Sequence, residues 1–363
     1  MTPQHLTATR RVVALLFLST LLVAACGGGD SDEDTAVTQT STTTTEATTT
    51  TTEAPTTTTE PAPPPTFPLT GEPLDSADAE HPALVVKIDN HPDSRPQWGL
   101  NQADIVYEEI VEGRITRFAA VFHSQDSDPV GPIRSARTSD FDILTQLNTP
   151  LFANSGGNEN VLTMLNSVDT QSVNVNAQPD LYYRESSRRR PHNLMANTSE
   201  LFAAAGQEAG TPPQLFEYRT PDASLPASAM VVDGIDIDYG GTQVEYRWDP
   251  AGGGWLRTQN GTPHFDVDDV QIAPENVIVQ FISYGRSPAD AGSPEAELIG
   301  EGEVWVLTDG HLIEGTWSRP DPESPTTLTV GSETIALTPG STWVALPRLD
   351  MATVVTGAVS GDG

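Results

Sequence analysis

Residues 35–66 constrain this chain more than any other stretch, because seventeen of those 32 positions are threonine. Glu46, Glu53, Glu60 and several prolines interrupt the run, and no apolar periodicity is present to offset the entropy of ordering it. The wider segment 27–80 carries eleven acids and no base, so self-repulsion keeps it extended and away from an anionic membrane surface. It reads as a disordered tether, with a Thr/Pro composition that suits O-glycosylation. The folded mass is therefore expected beyond residue 80, enough for about two domains at roughly 150 residues each.

The segment before the tract has the form of an export signal. Arg10 and Arg11 supply a positive start, and residues 12–25 form an apolar stretch too short to span a bilayer comfortably. Val23-Ala24-Ala25-Cys26 closes it and resembles a bacterial lipobox, in which the cysteine is lipidated and becomes the new N-terminus. Residues 1–25 are thus expected to be a lipoprotein signal peptide, and 26–80 the lipidated Cys26 with its tether. Acyl chains contribute about 0.8 kcal/mol per buried CH₂, so several of them would hold the protein on the extracytoplasmic face of the membrane. Cys26 is the single cysteine, which excludes an internal disulfide framework and any Cys-based zinc cluster.

Fifty acids against eighteen bases give a formal charge of −32. Nucleic acid is an unsuitable partner for such a chain, because duplex binding needs a basic face to release counterions. The charge is unevenly spread. Residues 81–200 hold Lys87 and nine arginines against fifteen acids, whereas residues 201–363 hold six arginines against twenty-four. The first half is therefore the place to look for an anion site.

Local patterns divide the folded part in two. The apolar run 83–88 reads as a buried strand, and 103–111 and 115–122 as strands paired through Glu112-Gly113-Arg114. Helices are expected over 139–147, with Ser139 as N-cap, and over 159–165 and 198–205, with a short strand at 151–153. Strands alternating with helices predict an α/β (or α+β) first domain over 81–215. After the loop-rich 212–226, strands dominate: 229–239, 243–249, 255–257, 277–284, 302–308, 311–318, 327–335 and 341–346, with a hairpin signal at Asp309-Gly310. A mostly-β second domain over 228–350 is expected, then a tail over 351–363.

The order of motifs resembles the YerB-like lipoprotein family. Its carriers are Arg95-Pro96-Gln97, Ala103-Asp104-Ile105-Val106-Tyr107-Glu108, Ile115-Thr116-Arg117-Phe118, Gly131-Pro132-Ile133-Arg134-Ser135-Ala136-Arg137 and Arg190-Pro191-His192-Asn193-Leu194. In the second half they are Gly300-Glu301-Gly302-Glu303-Val304-Trp305, Ile313-Glu314-Gly315-Thr316-Trp317 and Leu337-Thr338-Pro339-Gly340-Ser341-Thr342-Trp343-Val344. The resemblance implies two adjoining domains of unknown function on a bacterial lipoprotein. Arg114 departs from it, standing where a glycine is expected before Ile-Thr-Arg. A shorter likeness to the LytR-CpsA-Psr envelope ligases is confined to Asp104 through Arg137 and lacks that family's full arginine set.

Three motifs carry chemistry. Arg134 and Arg137, with Arg117, form an arginine set suited to bidentate binding of phosphate or carboxylate, and Ser135 lies between two of them. The motif leads into an expected helix start, where backbone N–H groups favour anions. Asn154-Ser155-Gly156-Gly157 follows a strand and precedes a helix, as a ligand loop would, but without Walker A spacing or lysine. His192 and Asn193 bring an imidazole and an amide. Asp89, Asp104 and His192 are the catalytic candidates, and Asp89, His192 and Ser135 make a nominal triad without a nucleophile elbow. His81, Asp89, His91 and Asp93 cluster without metal-ligand spacing, and Asp236/Asp238 and Asp266/Asp268/Asp269 read as solvated acids. Neither metal nor cofactor is expected. Trp255, beside Gly252–Gly254, offers a platform for a sugar, while Trp305, Trp317 and Trp343 read as core. The leading expectation is a lipoprotein that binds an anionic cell-envelope ligand. The alternatives are an enzyme of phosphoryl or glycosyl transfer on a lipid-linked polymer, and a protein–protein adaptor.

Overall fold

The computed structural model describes residues 64–74 and 79–356. Cys26, the signal segment and most of the Thr tract lie outside the described residues.

Strand β1 (Leu84–Asp89) is buried at every position, as its unbroken apolar run predicts. The hairpin β2 (Ile105–Ile110) and β3 (Thr116–Phe122) places β3 antiparallel to β1. On its other side β1 runs parallel to β4 (Leu151–Ala153), which is followed by β5 (Gln171–Ser172). Helices α1 (Ser139–Thr145), α2 (Glu159–Leu165) and α3 (Thr198–Ala203) accompany them. The first domain is therefore a mixed sheet with helices, and the second is mostly β. The Glu112-Gly113-Arg114 turn forms without the glycine that family likeness led us to expect, because Arg114 itself takes a left-handed φ of 61°. Ser139 is not the cap of α1. It is the first helical residue, and the Asp140 carboxylate accepts the Arg137 N–H instead at 2.7 Å.

The two halves share one sheet. Strand Thr342–Ala345 inserts between β2 and Asn276–Gln280, parallel to both, so strands of the second half continue the sheet of the first. Gly300–Thr308, His311–Arg319 and Thr327–Val330 extend it, and with the short strands Glu333–Thr334 and Met230–Val231 it has twelve strands among the described residues. The predicted Asp309-Gly310 hairpin forms with φ of 49° and 71°, the left-handed pair that a type I′ turn requires. A second, five-stranded sheet contains Gly234–Asp238, Gln243–Asp249 and Gly254–Gln259. Its edge is Ala352–Val355, so part of the expected tail is a strand.

Both faces of the large sheet are covered. Leu84, Val86 and Ile88 enter one core and Ala83 and Val85 the other, as strand alternation dictates. The folded body also begins before residue 81. Leu69 is fully buried, its carbonyl accepts the Tyr218 hydroxyl at 2.5 Å, and the Thr70 carbonyl accepts the Gly340 N–H at 2.8 Å. Phe67 and Leu69 supply the apolar groups that the Thr tract lacks. Among the described residues no helix is long and apolar enough to cross a membrane.

Candidate functional site

Chemistry concentrates at the carboxyl end of β1. Asp89 closes that strand with its side chain almost fully buried, and three groups converge on its carboxylate. His192 Nδ1 lies 2.6 Å from Oδ2 and donates to it. Arg134 Nε makes a charge contact with the same oxygen at 3.2 Å, and the His91 N–H donates to Oδ1 at 3.1 Å. Arg134 reaches this point because its motif runs beside β1. The Asp89 N–H donates to the Pro132 carbonyl and the Arg134 N–H to that of Lys87. His192 is presented by the loop that precedes it. Asn193 ties that loop together by accepting from Arg184 Nη1 at 3.0 Å and donating to the Glu185 and Arg188 carbonyls. Arg188 in turn lies over the Trp98 ring at 4.2 Å and donates to the Ser94 and Pro96 carbonyls. The His91 and His192 rings stack at 4.3 Å, 15° from parallel.

Arg117 and Arg184 both neighbour Arg134, with Arg137 beside the first and Arg190 beside the second. Arg117 stands opposite Asp89 in the β1–β3 register and opposite Glu109 in the β2–β3 register. Its side chain is only 7% exposed, and Nε and Nη1 are buried without a hydrogen-bond partner. Burial, with Arg137 and Arg134 beside it, brings the Arg117 guanidinium down to about 10. Arg137 is paired, its fork gripping Glu112 through two 2.8 Å hydrogen bonds. Burial acts to raise the Glu112 carboxyl, but hydrogen bonds from Arg137 and Ser293 outweigh it and bring the group down to about 2. On the outer side, partial burial and the neighbouring Arg190 and Arg134 lower the Arg184 guanidinium. Among the described residues Arg184, Arg189 and Arg190 make no ion pair and are exposed.

Other expected residues are placed elsewhere. Ser135 Oγ lies 3.5 Å from Ser155 Oγ, and no hydrogen bond joins it to the Asp89–His192 pair. In the Asn154–Gly157 loop the Ser155 N–H donates to the Arg134 carbonyl and the Gly156 N–H to Asn154 Oδ1. One of the loop's backbone donors is thus used to hold the arginine motif and another is turned back on the loop itself, whereas Asn154 Nδ2 is buried without a partner. An open groove of about 700 Å³ lies beyond Gly157 and α2, lined by Asn166, Asn174 and Asn176 and by no arginine. Asp104 sits just before β2, five residues from Glu109 along the strand, about 17 Å from the Arg117 end. Burial pushes it up to about 6 against hydrogen bonds from Ser124. His81 packs on His123 and Phe202, Asp236 pairs with Arg247, and Asp266 accepts from Asn101 and its own loop. Trp255 is fully buried against Trp248, which removes it as a sugar platform.

Sequence patterns passed over the charges inside the strands. Lys87, the single lysine, is fully buried between Glu109 and Asp140, 2.6 Å from the latter. Glu108 receives Arg257 Nη2 at 2.9 and 3.0 Å and the Trp343 indole at 3.1 Å, all buried. The signal was a charge within an apolar run: a lysine in Leu84–Asp89 and adjacent glutamates in Ile105–Ile110 must be paired if those strands are core.

The division of the chain into two parts agrees with the family comparisons. Residues 69–211 match the N-terminal domain, and residues 235–344 the C-terminal domain, described as "Protein of unknown function (DUF3048)". The chain is 30% identical over 302 residues to "Putative lipoprotein YerB" of Bacillus subtilis (strain 168), covering 80% of this chain and 88% of that protein. It also superposes on the crystal structure of YerB protein from Bacillus subtilis, with a TM-score of 0.70 and 26% identity over 80% of this chain and 99% of that one. The chain belongs to the YerB-like family.

Proposed function

We propose that this protein is a lipoprotein, held through Cys26 on the extracytoplasmic face of the membrane, that binds an anionic envelope polymer at the Arg134 cluster. The YerB relative's name as a lipoprotein and the lipobox-like Val23-Ala24-Ala25-Cys26 support the anchor. The observation that carries the ligand reading is Arg117, a buried guanidinium with two nitrogens lacking a hydrogen-bond partner, beside Arg134, which in turn neighbours the exposed Arg184. Native structures rarely leave such donors unsatisfied, and a phosphate or carboxylate oxygen drawn to Arg134 would satisfy them once the Arg117 side chain turns toward it. Binding of polyphosphate and polyglutamate to the full chain in detergent tests this by titration calorimetry. Wild type is expected to bind one of them in a salt-dependent manner, and Arg134→Ala to weaken that binding about 10-fold or more, as loss of a charged hydrogen bond does. Undiminished binding by Arg134→Ala would sink the reading.

A second reading, phosphoryl or glycosyl transfer, is favoured by the Asp89–His192 pair. A carboxylate on Nδ1 leaves Nε2 as the nitrogen that takes or gives a proton. Turnover of an aryl phosphodiester that disappears in His192→Gln would favour this reading over binding alone.

A further inference from the structure

We propose that His91, Asp93 and His192 form a divalent-metal site, best matched to Zn²⁺, with Asp89 as the carboxylate that orients His192. The three side chains come from separate parts of the chain, His91 and Asp93 from the turn after β1 and His192 from the arginine-rich loop. Their ligand atoms lie within 4.8 Å of one another. The hydrogen bonds fix the tautomer of both imidazoles, and on His91 the metal would replace the Asp93 N–H. His91 Nδ1 accepts the Asp93 N–H at 3.2 Å, so its lone pair is on Nδ1, and that atom lies 3.7 Å from Asp93 Oδ2. His192 donates from Nδ1 to Asp89 Oδ2 at 2.6 Å, which leaves the lone pair on Nε2. A carboxylate on the far nitrogen of a histidine ligand is the usual outer support of zinc sites, fixing the tautomer and raising ligand basicity.

Size fits. Ligands about 2.0–2.1 Å from a tetrahedral zinc stand roughly 3.3 Å apart, so closure needs shifts of about an ångström and a half or less. Asp93 is 74% exposed and His91 40% exposed, so both have room to rotate, and ligation would exchange the Asp93 N–H on His91 Nδ1 for the metal and turn that ring out of its stack on His192. Two imidazoles and one carboxylate leave a fourth position for water, the ligand count of a catalytic rather than a structural zinc. In the metal-loaded protein His192 is a ligand and not a proton carrier, which separates this site from the transfer reading above. It is also independent of the anion reading, because the metal is measured with no anionic polymer present.

The test is Co²⁺ and Zn²⁺ binding to the chelator-stripped full chain in detergent, followed by Co²⁺ visible absorption and by competition with Zn²⁺. One equivalent is expected to bind, with the intense visible bands of four-coordinate cobalt. His91→Ala and Asp93→Asn, both on exposed side chains, should each weaken binding at least 10-fold with an unchanged far-UV spectrum. Asp89→Asn should weaken it about 10–100-fold while the cobalt bands persist. Stoichiometric binding untouched by His91→Ala and Asp93→Asn would overturn the proposal, as would the absence of any saturable binding in wild type.

Discussion

Arg117 is the residue at which stability and function part company. A buried guanidinium with unpartnered nitrogens is costly, and its nearest acid, Glu112 at 3.8 Å, already has Arg137. Arg117→Met is therefore expected to melt at or above the wild-type temperature while losing binding of whichever polyanion the wild type takes. A drop of several degrees in calorimetry would make Arg117 a structural residue. His123 gives a prediction in pH. Burial, with His81 beside it, lowers this imidazole to about 4 from its ordinary 6.5. The unfolded chain therefore takes a proton that the native state refuses, and the stability supplied by this group falls as pH drops from about 6.5 towards 4. Urea midpoints measured across that range should fall less steeply in His123→Gln than in wild type.

At the level of elements, strand ends and turns decide where the site residues stand. The β1–β3 register sets Arg117 beside Asp89, and the Gly131–Arg137 stretch is held in place by β1 on one side and by Ser155 and Gly156 on the other. Gly234 has a comparable part in the second sheet. A Cβ there would lie 1.8 Å from the Tyr246 carbonyl oxygen, against the strand it pairs with. Gly234→Ala should cost about 1–3 kcal/mol or force the strand apart. Gly253→Ala has open space around its Cβ and only a left-handed φ of 72° to accommodate, so about 1 kcal/mol is expected. Urea denaturation of the two variants checks the contrast, and equal losses would contradict it.

At the scale of the whole molecule, one sheet and one buried ion pair join the halves that the family comparisons treat as two domains. Thr342–Ala345 pairs with β2, and Arg257 from the five-stranded sheet binds Glu108 on β2. The full chain should therefore unfold in a single transition, with coincident curves from tryptophan fluorescence and far-UV circular dichroism. Residues 64–225 alone leave β2 an open edge and Glu108 an unpaired buried charge, and should not show cooperative unfolding. Arg257→Met in the full chain should cost about 3–5 kcal/mol, the usual result of stranding one partner of a buried pair. Two separated transitions would refute the shared-sheet account.

The sequence by itself determined what depends on near neighbours. The alternation and length of the apolar runs located β1, the β2–β3 hairpin and α2, and the Thr tract showed where no core could form. The Asp309-Gly310 turn was legible because its backbone geometry demands those residue types. The arginine motif was visible as composition, but its partners were not. His192 and Asp89 are 103 positions apart, and Arg257 and Glu108 are 149 apart. Only the tertiary structure separated Arg137, whose fork grips Glu112, from Arg117, two of whose nitrogens lack a hydrogen-bond partner, moved Asp104 to the opposite end of the strands and set His192 beside His91 and Asp93. The reason is physical: hydrophobic periodicity is a local property of the chain, whereas charge pairing is settled by strand order and register, which no local pattern encodes.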